Sequence, residues 1–179
     1  MSDAIRVRGV ELFRSSARAR LPFGFGAVTV RELTLLDVRV RIEVGGRRVE
    51  GWAADCAVPR WFRKDVARSV DDDVAELITS VWSARECFLR HGAEEHTLFA
   101  LWWRVYRERV DALPPDHAGR LVQGFGVALI ERALIDAVCR AAEVGFHAAL
   151  RDGRFGFEPA IVRDDLRGFD LARSLPERP

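Results

Sequence analysis

Residues 36–44 alternate strictly, with Leu36, Val38, Val40, Ile42 and Val44 on one face and Asp37, Arg39, Arg41 and Glu43 on the other. A period of two belongs to an extended strand with one buried face, and no helix sorts its side chains that way. Gly45-Gly46 follows, free to take the positive φ angles of a tight hairpin, and Arg48-Val49-Glu50-Gly51-Trp52-Ala53 returns as a second strand. The chain is thereby committed to an antiparallel sheet whose apolar face needs a cover.

The N-terminus alternates too, with Ile5 and Val7 in one phase, Val10 and Leu12 in the other, and the slip at Gly9, where a bulge absorbs one residue. The pattern predicts strands over 4–15, 33–44 and 47–56. Between the first two lies Leu21-Pro22-Phe23-Gly24-Phe25-Gly26, read as a loop that interrupts regular pairing and leaves two phenylalanines to be explained.

After Pro59 the period becomes helical. Ser69 and Asp72 have the spacing of a capping box, and Val74, Leu77, Ile78, Val81, Trp82, Phe88 and Leu89 follow on helical spacing. Leu98, Leu101, Trp102, Val105 and Tyr106 form a second stripe that Pro114-Pro115 must end. Few polar residues interrupt Val127, Ala128, Leu129, Ile130, Ala133, Leu134, Ile135, Ala137 and Val138, which suit a buried central helix. Helices are expected at about 69–91, 94–113 and 118–143. The fold class is α+β, a three-stranded antiparallel meander followed by about three to four helices, with the domain at 1–145 and an extension and linker at 146–179.

The 179 residues suffice for one core, and 28 basic against 27 acidic residues leave a net charge of +1, too little field to favour nucleic acid or an anionic membrane. Cys56, Cys87 and Cys139 form no Cys-x-x-Cys pair, which fits a reducing cytoplasm, and Cys87 and Cys139 fall on apolar helical patterns. Lys64, the single lysine, reads as a surface residue.

Candidate chemistry is sparse. His91, His96, His117 and His147 lack the three- or four-residue spacing of a shared metal site, and His91-Gly92-Ala93-Glu94-Glu95-His96 reads as a helix break followed by an acidic helix start. Asp71-Asp72-Asp73 would point about 100° apart on a helix and so cannot all face one ion. Gly24-x-Gly26 with Thr29 lacks the helix that a phosphate cradle requires, and Cys56 has no histidine near it in sequence. Of the tryptophans at 52, 61, 82, 102 and 103, most fall on apolar faces where a core role is expected; Trp52 and Trp61 flank the segment leaving the last strand. A hydrolase or transferase built on Cys56 or on the His91 to His96 cluster would require those groups to converge in one pocket.

Pro22-Phe23-Gly24-Phe25-Gly26 with Thr29, the strand Val38-Arg39-Val40-Arg41-Ile42, Gly51-Trp52-Ala53, and Ala128-x5-Leu134-Ile135-Asp136-Ala137 occur in an order that resembles the N-terminal capping domain of the enolase superfamily, in its mandelate racemase and muconate lactonizing enzyme branch. The resemblance spans about residues 5–145. It implies a domain that packs on a (β/α) barrel, in cis or in trans, where the barrel supplies Mg²⁺ ligands and the acid and base that abstract a proton next to a carboxylate, in isomerase or lyase chemistry. It implies substrate-capping loops at Phe23, Gly24, Phe25, Gly26, Trp52 and Asp55, with no catalytic residue, metal ligand or bound cofactor in this chain and a small carboxylate held only with the barrel. Many relatives have Gly-Glu after the Gly-Trp, whereas this chain reads Gly51-Trp52-Ala53-Ala54-Asp55, so substrate contacts there do not carry over. The alternative is a stand-alone ligand-binding or interaction domain that kept the cap fold without catalysis; where a barrel would pack, the first reading expects a large exposed apolar patch and the second a polar surface or a self-association interface that would make a homo-oligomer.

Overall fold

The computed structural model describes residues 3–25, 28–65 and 67–176. Strands β1 (Ala4–Phe25), β2 (Val28–Val44) and β3 (Arg47–Ala57) form an antiparallel meander, and a short β4 (His96–Thr97) joins its far side to give the order β3-β2-β1-β4. The helices are α1 (Val70–His91), α2 (Leu98–Tyr106), which runs on into a π-helical turn (Arg107–Asp111), α3 (Arg120–Ala142), α4 (Phe146–Arg151) and α5 (Leu171–Ser174). This is the α+β class expected from the alternation of the first third and the helical periods that follow.

The sheet's apolar face carries Ile5, Val7, Val10, Leu36, Val38, Val40 and Ile42, all buried. The phase slip in β1 is a bulge between Val7 and Gly9. Helix α3 lies along β3 and β2 while α1 covers β1, so α3 is packed from both sides and its Leu129, Ile130, Ala133, Leu134, Ala137 and Val138 are wholly buried. Two glycines set the spacing of these layers. A Cβ on Gly51 would sit 2.2 Å from the Ala133 carbonyl oxygen, and one on Gly126 would sit 2.3 Å from that of Ser80. Backbone meets backbone at both crossings.

Ser69 caps α1 in the expected box, its Oγ accepting from the Asp72 N–H at 3.0 Å. Asp73, 6% exposed, accepts from the Arg60 backbone N–H at 3.2 Å and from Arg68 Nε at 3.0 Å, clamping the 58–69 connection onto α1. The core continues beyond 145: Ala149 and Phe155 are buried, and the Phe99 N–H donates to the Phe155 carbonyl at 3.0 Å.

Three expectations are corrected. First, the stretch before Gly26 does not end β1 at 15; the strand runs to Phe25 and β2 begins at Val28, so the two form a long hairpin arm. The proline and its neighbours do disturb pairing, since the register is irregular between Arg18 and Phe23. Ser15, Ser16, Ala17, Arg18, Ala19 and Arg20 are small or polar on both faces, so no hydrophobic period marks the strand. Second, His96 and Thr97 do not begin a helix at 94: they pair with Ile5 and Ala4 as β4, and Thr97 caps α2, its Oγ1 accepting from the Ala100 N–H at 3.2 Å. No acidic residue lies in the first turn of α2. Third, Trp82 is 46% exposed and lies under the Arg85 guanidinium, 5.4 Å from the ring centroid. Its position at the edge of the apolar stripe lets a large ring turn outward onto a neighbouring cation.

No helix among the described residues is long and apolar enough to cross a membrane.

Candidate functional site

The residues expected to cap a substrate occupy three separate places. Phe23, Gly24 and Phe25 stand at the far end of the arm, where Phe23 pairs with Val30, Gly24 with Thr29 and Phe25 with Val28. The side chains of Phe23 and Phe25, and the whole of Gly26, lie outside the described part. Trp52 and Asp55 are three residues apart on β3 and therefore point to opposite faces of the sheet.

Trp52 is on the outer face, 43% exposed, stacked on Phe13 with ring centroids 5.7 Å apart. The Arg39 guanidinium lies 5.4 Å from the Trp52 ring and 5.8 Å from the Phe13 ring, and Glu11 accepts from it at 2.7 Å. The backbone N–H of Trp52 donates to Asp136 Oδ2 of α3 at 2.9 Å. Asp136 thus satisfies a donor on the open edge of β3, while Ala133 and Ala137 leave room for Gly51. That is a physical reason for the Ala-Asp pattern of α3 to accompany the Gly-Trp pattern of β3.

Asp55, on the helix-facing side, pairs with Arg132 at 2.6 Å and also accepts from the Cys56 N–H. The pair borders an open cavity of about 450 Å³ lined by Phe62, Tyr106, Phe125 and Arg120. A larger cleft of about 940 Å³ opens at the base of the arm, between Arg14, Ser16 and Thr34 on one side and Asp71, Val74 and Ile78 of α1 on the other. Sequence reasoning missed this cleft, because half of its wall is the arm.

The other chemistry-bearing groups are committed elsewhere. His91 Nε2 lies 2.7 Å from Glu108 Oε2 on the π-helical turn, and Arg90 bonds the other Glu108 oxygen. Hydrogen bonds from His91 and Arg90 hold the Glu108 carboxyl down at about 2. Burial, with Glu108 beside it, pushes the Cys87 thiol up to about 11, and burial followed by the Asp55 charge raises that of Cys56. Neither is poised as a thiolate. Asp72 is engaged in the cap and Asp73 with Arg60 and Arg68, so the acidic triplet is divided, and among the described residues no three His, Cys, Asp or Glu side chains are placed to share a metal ion. Among the described residues, the donor set does not fit a Mg²⁺ centre.

Glu131, like Glu108, is a perturbed acid that sequence reasoning did not single out. Burial within α3 raises its carboxyl to about 7, against the opposing influence of Arg132 and of a hydrogen bond with Trp102. Trp102 belongs to an aromatic cluster with Phe99, Trp103 and Tyr106. The signal in the sequence is an acid, Glu131, directly after the apolar run Val127 to Ile130 of the central helix.

A sheet meander with an extended first hairpin, backed by a buried central helix, is the fold of the enolase N-terminal domain, and solved structures of that class match the chain. They include a mandelate racemase/muconate lactonizing enzyme-like protein from Rubrobacter xylanophilus (TM-score 0.51, 19% identity, 80% of this chain and 33% of that one). An enolase from Bradyrhizobium, complexed with magnesium and mandelic acid, matches with a TM-score of 0.56 and 15% identity over 84% of this chain and 36% of its own. An enolase from the alpha proteobacterium BAL199, with bound magnesium, matches with a TM-score of 0.54 and 14% identity, covering 82% and 34%. The chain spans about a third of the length of each. No protein-family model matches the sequence, and no curated protein matches it.

Proposed function

We propose that this chain is the capping portion of a mandelate racemase/muconate lactonizing enzyme-like protein. The segment expected to cap, Phe23, Gly24, Phe25 and Gly26, closes over a substrate held on a (β/α) barrel. The observation that carries the reading is the match of some four-fifths of this chain to about a third of those solved proteins. In this reading the barrel, in cis or in trans, holds Mg²⁺ and the acid and base that move a proton next to a carboxylate. This chain contributes water exclusion and specificity through the arm, as closing loops do. Trp52 and Asp55 act on different faces of β3: Asp55, fixed by Arg132, borders the helix-side cavity, while Trp52 is held on the outer face by Phe13 and Arg39.

The C-terminal segment supports this over a stand-alone domain. Phe157, Ile161, Val162, Leu166 and Phe169 are each at least 36% exposed, and the turns Pro159–Ile161 and Asp164–Leu166 and helix α5 contain no buried residue. Their apolar side chains are left for another surface to cover. The test is the variant I161D/L166D/F169D. It is expected to keep the parent melting temperature in the isolated chain but to lose co-purification with a co-expressed enolase-type barrel. Unfolding of the isolated variant would show that these residues serve its own core, and undiminished co-purification would place the barrel contact elsewhere.

A further inference from the structure

Beyond Ile5 the second edge of β1 has no strand partner among the described residues. The Val7 N–H donates to Gly92 and the Val10 carbonyl accepts from Arg85, and after Val10 that edge has no further backbone bond among the described residues. On the other side of the arm, β3 pairs with β2 only from Thr34 onward, leaving 28–33 open as well. An open, extended edge is a template for an added strand.

The arm is also one-sided in charge. It carries Arg14, Arg18, Arg20 and Arg31 against the single acid Glu32. Among the described residues none of the four arginines has an ion pair, hydrogen bond or ring contact, although the adjoining sheet pairs Arg8 with Glu43 and Arg39 with Glu11. Arg14 and Arg18 share the helix-side face of β1, as their opposite partners Leu36 and Glu32 share that of β2.

We propose that the arm is a docking strand for an acidic polypeptide segment, which adds antiparallel to the open edge of β1 and sets its carboxylates opposite Arg14, Arg18 and Arg20. Alternate residues of a strand are about 7 Å apart, so a segment with an acid at every second position meets this arginine spacing directly. The same charges repel the like-charged arm of a second copy, so the edge is guarded against self-pairing while open to an acidic strand. The chain's net charge of +1 gives no wide field to favour a nucleic acid, and the cleft wall beside the arm is partly apolar through Leu33, Val74 and Ile78, which suits a polypeptide. The proposal goes beyond the capping reading and needs no barrel, so either can fail without the other.

The probe is a fluorescein-labelled alternating Glu-Val peptide of about twelve residues, roughly the length of a long strand, titrated into the full chain and followed by anisotropy. An alternating Lys-Val peptide and an oligothymidylate of equal length serve as comparisons, and amide hydrogen exchange is read along the arm. The Glu-Val peptide should bind, weaken as salt is raised, and protect amides within 11–20, the open stretch of β1. R14Q/R18Q/R20Q should lower its affinity roughly tenfold or more at an unchanged melting temperature, because those side chains make no ion pair, hydrogen bond or ring contact among the described residues. Absence of binding, equal binding of the Lys-Val peptide, binding without protection of the arm, or tighter binding of the oligothymidylate would overturn the proposal.

Discussion

At the scale of single residues, the sheet and its central helix are held in register by what is missing from Gly51. Its Cβ position lies 2.2 Å from the Ala133 carbonyl oxygen and 2.4 Å from the Ala137 nitrogen, both backbone atoms that cannot swing away. Gly51→Ala must therefore push α3 off β3, and a loss of about 3 kcal/mol is expected in urea unfolding. A loss under about 1 kcal/mol would mean that the two layers are free to slide. Glu131 gives a pH signature. Its carboxyl, raised from 4.5 to about 7 by burial, holds a proton in the folded state that the unfolded chain has released across that interval. Its contribution to stability is therefore greatest below about pH 4.5, falls as pH rises to about 7, and stays low above. Glu131→Gln removes the titration, so it should stabilise the fold by about 2–3 kcal/mol near pH 8 and change little near pH 4. Thermal melts at the two pH values read this, and an equal effect at both would refute it.

Among the elements, legibility followed the hydrophobic period. The 36–44 alternation and the apolar stripe of α1 were visible because each buries one face, the turn between the strands through its two glycines, and α3 because a helix packed from both sides carries few polar residues. The arm was not, since its side chains bury little on either face and the pairing of β1 with β2, not a core, extends it. β4 was hidden for a similar reason: two residues carry no period, and only Ala4 and Ile5 across the sheet make His96 and Thr97 a strand. Of the expected capping residues, the arm tip was legible as a place through its proline and glycines. The divergence of Trp52 and Asp55 to opposite faces follows from the period of two, and the partners Phe13, Arg39 and Arg132 that fix them are set by tertiary packing. The connection between β3 and α1 is held by charge. Asp73 is its anchor, and Asp73→Ala leaves the Arg60 N–H and the Arg68 guanidinium without that acceptor. A loss of about 2–3 kcal/mol, with faster amide exchange within 58–69, is expected; unchanged exchange there would assign the connection's order to other contacts.

For the whole molecule, the fold accounts for a sheet and helices that are complete as a core yet leave two features facing outward: an arm with open edges and a C-terminal segment of exposed apolar residues. Polar groups around the core are engaged in caps, edges and loop clamps, while the arm's arginines are not; under the capping reading a barrel would meet both outward features. The most direct measurement is deuterium incorporation next to the carboxylate of the chosen barrel's own substrate, in deuterium oxide with Mg²⁺, followed by NMR for the chain alone and for the chain joined to that enolase-type barrel. Exchange only in the joined protein is the predicted result; exchange catalysed by the chain alone would contradict the account.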